Sequence, residues 1–216
     1  MLEQVKDREF MLDLCIKLAH HSTAIEGNTL SLDEVTKILR ENYTPRQMSQ
    51  NEFYEIKNYG KAFELLSDCL KAKELLSPEL MKEFHALLLD NLLASKGEFK
   101  KSRNPKPDFD TLSPYQADYI LQEWCDSLYF VFTNEKSDEH KLEAILQSHI
   151  HFERMRPFSD GNGRVGKLLI VYSCLEQDLM PVIIPKDCKN RYIEILAQHD
   201  LNGFLEIVQT LDSNLL

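Results

Sequence analysis

The feature that most constrains this chain is a corner. Residues 155–167, MRPFSDGNGRVGK, hold three of the seven glycines in 216 residues. Ahead of the corner, Leu142, Ile145, Leu146, His149 and Phe152 recur at the i, i+3, i+4, i+7 spacing of a buried helical stripe. Behind it, residues 164–176 are helical in pattern again and almost continuously apolar. Two core helices therefore meet at a flexible, charged turn. With only 7 Gly and 8 Pro overall, the rest of the chain favours long helices over many short strands.

Helical spacing runs through residues 2–20 and stops at Glu26-Gly27-Asn28. Ser31 with Glu34 predicts a capping box opening a short helix, and a longer helix follows over about 50–70. Ser77-Pro78 opens a helix expected to end near Leu93, Pro114 one through Phe132, and Ser137 one to about Met155. Residues 182–184 are β-prone, and one or two helices close the chain from Asp187 to about Thr210. The stretch 97–112 is the one long non-helical segment, with room for a hairpin. The prediction is an all-α bundle of about eight or nine helices with a small β-hairpin.

A formal net charge of -10 argues against a general nucleic-acid binder. The apolar run 168–175 is too short to cross a bilayer, and the N-terminus has no signal-peptide pattern. The five scattered cysteines lack metal-ligand spacing and are expected to be reduced thiols. A soluble, cytoplasmic protein without membrane or nucleic-acid partners is expected, and a homo-oligomer is left open.

The corner has a chemistry of its own. A helix N-terminus leaves its first N–H groups unpaired and partly positive, and glycines let the backbone approach an anion closely. Arg164 opens the second helix, with Lys167 one turn on along the same face. Such a set suits a pyrophosphate, and Asp160 beside it suits Mg2+. The plainer alternative is a DGNG turn in which Asp160 only caps the helix.

HIHFERMRPFSDGNGRVGK resembles the signature of the Fic (filamentation induced by cAMP) family, HxxFxxIHPFxDGNGRxxR. His149, Phe152, Pro157, Phe158, Asp160, Gly161, Asn162, Gly163 and Arg164 match it, and GEFKK at 97–101 is similar to the start of the family's flap hairpin. The resemblance spreads over most of the chain and implies a Fic fold with an ATP–Mg2+ site. It implies transfer of AMP from ATP to a hydroxyl of a target protein. Asp160 would hold the metal, Gly161, Asn162 and Gly163 the α- and β-phosphates, Arg164 the β-phosphate and Lys167 the γ-phosphate. The flap, about 97–111, would register the target as an added strand.

Two positions depart from the pattern: Arg156 stands where the family has its general-base histidine, and Lys167 where it has a second arginine. A guanidinium stays protonated and cannot accept a proton from the attacking hydroxyl. His149 and His151 lie close in sequence, but His149 belongs to the apolar stripe and His151 to another face. The alternatives are a nucleotide-binding pseudoenzyme or partner-binding module, altered chemistry with another phosphate-containing group, or deliberate substitution of the position.

STAIEGN at 22–28 is, by itself, a helix end with Gly27 as left-handed cap. Beside the corner it resembles the family's inhibitory motif, [S/T]xxxE[G/N], with Ser22, Glu26 and Gly27 in register. The resemblance implies that Glu26 pairs with Lys167 and blocks the γ-phosphate position. The expected organisation is an N-terminal inhibitory arm, 1–45, ahead of a Fic domain, 46–216.

Overall fold

The computed structural model describes Val5 and residues 7–43, 48–102 and 112–214. Nine α-helices appear among them, and no strand. Helix α1 (Arg8–Glu26) starts at Asp7, whose carboxylate accepts from the N–H groups of Glu9 and Phe10. It ends at Gly27, which takes the left-handed conformation at φ 116°. Helices α2 (Leu32–Arg40) and α3 (Gln50–Ala72) both open with reciprocal capping boxes, Ser31–Glu34 and Ser49–Glu52. Then come α4 (Pro78–Leu88), α5 (Ala117–Asn134), α6 (Asp138–Met155), α7 (Asn162–Glu176), α8 (Lys189–Gln198) and α9 (Leu201–Asn214).

Helix α7 is the axis of the molecule. Of its 15 residues, 13 are buried, from Asn162 to Leu175, because α1, α3, α4 and α6 surround it. That explains its unbroken apolar sequence, since a helix buried on all sides needs no polar face. The same burial carries Arg164 and Lys167 into the interior. Helix α6 lies along α7, while α5, α8 and α9 cover its outer side. Helices α1 and α2 share the core with the rest through Leu14, Leu18, Val35 and Ile38.

Several expectations change. The helix from Pro78 stops at Leu88 rather than near Leu93, because the Asn58 amide donates to the carbonyls of Leu88 and Asp90 and draws off the ladder. Asn91 then turns left-handed at φ 60°. Residues 182–184 pair with no strand among the described residues; Val182 and Ile184 instead plug into the core. Helix α7 starts at Asn162, two residues early. Gly161, at φ 71°, is its N-cap, and no side chain caps that end, so Asp160 is not the cap. The flap expected at 97–111 lies outside the described residues from 103 on, and residues 97–102 form no strand. The described cysteines are all free thiols, four of them buried.

Candidate active site

The corner is braced from beneath. Asn162 accepts from the Phe158 N–H at 2.9 Å and donates to the Phe158 carbonyl at 3.0 Å, closing the loop on itself. Phe158 is 1% exposed and stacks on the His85 ring, with centroids 3.9 Å apart and planes 6° from parallel. Described residues on either side of the expected flap are tied to the same place. Lys100 donates from its backbone N–H to the Pro157 carbonyl at 2.9 Å and from Nζ to the Met155 carbonyl at 3.3 Å. Leu112 donates to the Met155 carbonyl at 2.8 Å. Both ends of the 100–112 stretch thus flank Arg156.

Above the brace the loop offers donors. Val165 N–H bonds the Gly161 carbonyl, while the N–H groups of Gly161, Asn162, Gly163 and Arg164 have no acceptor among the described residues. Arg164 is 7% exposed, and its Nε and one terminal nitrogen make no hydrogen bond. The nearest carboxylates, Glu55 and Asp160, stand 3.7 Å away, beyond hydrogen-bond reach. A buried guanidinium with unmet donors is costly unless an anion completes it.

Lys167 is fully buried and does have a partner. Its Nζ donates to Glu26 Oε1 at 3.1 Å and lies 5.7 Å from the Tyr192 ring centroid. The Glu26 carboxylate rests on the N-terminus of α7: a Cβ on Gly163 would come within 2.4 Å of Oε1. Burial opposes its ionisation, but the charge and hydrogen bond of Lys167, with Arg164 and Arg156, outweigh this and hold Glu26 below the usual carboxylate range. The arm is fixed around it. Ser22 accepts from the Tyr59 hydroxyl at 2.5 Å, and Asn28 donates to Glu55 at 2.8 Å and to the Glu52 carbonyl at 3.2 Å.

The sequence-predicted residues therefore divide. Glu26, Arg164, Lys167 and the glycines converge. Arg156 caps α6 in the left-handed region at φ 45°, near enough for its charge to act on Glu26. The Asn162 side chain is turned to the loop backbone, leaving its N–H as its contribution to an anion. His149 and His151 are elsewhere. His149 Nε2 pairs with the Tyr192 hydroxyl at 2.8 Å, and burial, then the Lys167 charge, push it down to about 3. His151 meets Gln147 and lines a separate cleft of about 350 Å³ with Trp124 and His199.

Asp160 is 67% exposed at the mouth of the loop, and no cluster of three metal-binding side chains occurs among the described residues. One carboxylate beside an anion nest fits Mg2+, which binds few protein ligands and takes the rest from phosphates and water. Glu55, His85 and Tyr59 went unsuspected in the sequence, because each reaches the site from a distant helix without any local motif.

A bundle whose glycine corner feeds a central buried helix defines a fold class. A Fic domain-containing signalling protein from Bacteroides thetaiotaomicron superposes with a TM-score of 0.78 at 21% identity, covering 98% of this chain and 88% of that one. Fic-1 from C. elegans superposes with a TM-score of 0.75 at 26% identity, covering 96% and 61%. Residues 75–174, 100 of the 216, match the Fic/DOC family model, so this stretch is a Fic domain. Among curated relatives, protein adenylyltransferase fic-1 of Caenorhabditis briggsae is 27% identical over 206 residues, covering 93% of this chain and 40% of that protein. Protein adenylyltransferase Fic of Drosophila willistoni is 26% identical, covering 88% and 38%. The chain thus spans about two fifths of the length of these relatives. No helix among the described residues is long and apolar enough to cross a membrane.

Proposed function

We propose that the chain is a Fic-type adenylyltransferase, held off by Glu26 and impaired at proton removal by Arg156. The observation that carries this is the buried Arg164 guanidinium with unmet donors beside the free N–H groups of 161–164. This is a cradle for the phosphates of ATP, with Lys167 as the deeper cation. Asp160 would hold Mg2+, which neutralises phosphate charge when bound. The adenylyltransferase names of the relatives support AMP as the transferred group.

In that reaction the target hydroxyl oxygen bonds the α-phosphorus, the bond to the β-phosphate oxygen breaks, and pyrophosphate leaves. The hydroxyl proton must go to a base. Arg156 already carries its proton and cannot take another, so it stabilises phosphate charge without general-base help. The flap root pinned on both sides of Arg156 supports docking of the target beside it. The second reading, a nucleotide-binding module without transfer, is favoured by Arg156 alone.

Calorimetric titration of Glu26→Ala with ATP and Mg2+ tests the cradle. Adding Arg164→Ala should weaken binding about 10–100-fold, the worth of charge-assisted hydrogen bonds. Binding indifferent to Arg164 would remove the basis for the reading.

A further inference from the structure

We infer that His85, outside the family's signature residues, is the positioning residue that sets the peptide plane at the head of the phosphate cradle and ties it to the flap root. The inference rests on the nucleotide reading above. His85 lies on α4, 75 residues before Asp160, and is completely buried. Its two ring nitrogens do different work. The Gly97 N–H donates to Nδ1 at 2.8 Å, so Nδ1 is the acceptor. Nε2 therefore carries the hydrogen and donates to the Asp160 carbonyl at 3.2 Å. The ring face is stacked on Phe158, so the imidazole can neither rotate nor slide. Burial, the leading cause, also pushes its pKa down to about 4, which preserves the neutral tautomer at ordinary pH.

The consequence follows from peptide geometry. In a planar trans peptide the carbonyl and the following N–H point in opposite directions. With the Asp160 carbonyl drawn down onto buried His85, the Gly161 N–H is directed up and away from the core. Gly161 sits at φ 71°, where backbone is readily reoriented, so this plane needs an external hold. Without the Nε2 bond the peptide is free to flip, which would turn a donor away from the phosphates and swing the Asp160 carboxylate. Meanwhile Nδ1 holds Gly97, also at positive φ (79°), at the start of the expected flap segment. One ring thus sets both the anion cradle and the start of the target-binding segment.

The test uses the whole 216-residue chain in the Glu26→Ala background, titrated with ATP at several Mg2+ concentrations, beside thermal melts. His85→Phe keeps a flat ring for Phe158 but loses both hydrogen bonds; His85→Gln has an amide that can donate on one side and accept on the other. The expected result is a loss of Mg2+-dependent ATP affinity of about 10-fold or more in His85→Phe, the worth of one hydrogen bond to a charged group. His85→Gln should recover part of it, even at matched melting temperature. Equal affinity for all three chains, whatever their melting points, would overturn the inference and leave His85 a core residue. Should His85→Phe fail to fold, ring 15N shifts of the unsubstituted chain decide: protonated Nε2 with acceptor Nδ1 supports the assignment, and the opposite tautomer refutes it. If the Glu26→Ala parent itself binds no ATP with Mg2+, the nucleotide reading has failed, which is a distinct outcome.

Discussion

Removing the Glu26 carboxylate should move affinity and stability in opposite directions. Glu26→Ala keeps the helix, since alanine has the higher propensity, and deletes only the group lying on Gly163 and Lys167. Glu26 is 43% exposed, so solvent screens its side of the ion pair, which is given a modest value of up to about 1 kcal/mol. Its seat on the N-terminus of α7 adds about 0.3–1 kcal/mol. A nucleotide phosphate must displace both interactions, so their loss should tighten ATP binding roughly 2- to 30-fold at about 1.4 kcal/mol per decade. The same change leaves Lys167, only 2% exposed, without its carboxylate. Melting temperature should fall by roughly 1–8 °C at about 2–4 °C per kcal/mol for a chain of this size. Saturating ATP with Mg2+ should restore it, by about 2.7 kcal/mol at a hundred times Kd. Titration calorimetry and thermal melts of the two chains suffice. Lower melting temperature with unchanged or weaker ATP affinity would refute the reasoning and leave the pair a structural prop.

Tyr192→Phe keeps the ring beneath Lys167 but leaves His149 Nε2 buried without its 2.8 Å partner. It should cost about 1–3 kcal/mol of stability in denaturant titration while ATP affinity stays put; a matching loss of affinity would place the hydroxyl in the site. Stability should also begin to fall on mild acidification. His85 and His149, ordinarily at 6.5, are pushed down to about 4 and about 3, chiefly by burial. The unfolded chain takes up protons below about pH 6.5 that the folded chain refuses, so this stability is full above that pH and declines toward pH 4. Glu26, held below the carboxylate range, adds its loss only below about pH 4. Melts flat from pH 7 to pH 5 would contradict the buried, neutral state of both histidines.

Local chemistry made much of this molecule legible in advance. Ser31 with Glu34 and Gly27 after Glu26 sit where their hydrogen bonds and φ require, because caps are decided within a turn. The charged corner was legible for the same reason, and Glu26 meeting Lys167 across 141 positions was legible only through the resemblance. What escaped is non-local. Asn58 ends α4 from another helix, so the apolar run through Leu93 gave no warning. Gly161 rather than Asp160 is the cap, at a φ of 71° and with Leu89 2.6 Å from where a Cβ would stand, so the position demands glycine through a contact from a distant segment. His85 sits amid the apolar pattern of α4 and resembles any core residue until Asp160 and Gly97 close on its two nitrogens.

The most direct measurement is label transfer to protein from ATP labelled at the α- or the γ-phosphate, with Mg2+, using Glu26→Ala with and without Arg156→His. A restored base should raise transfer roughly 10²–10⁴-fold. Strong α-label on the Arg156→His chain, little with Arg156 in place and no γ-label in either would show a Fic transferase that lacks only its proton acceptor. No α-label after histidine is restored and Glu26 removed, or equal α-label with either residue at 156, would contradict the account.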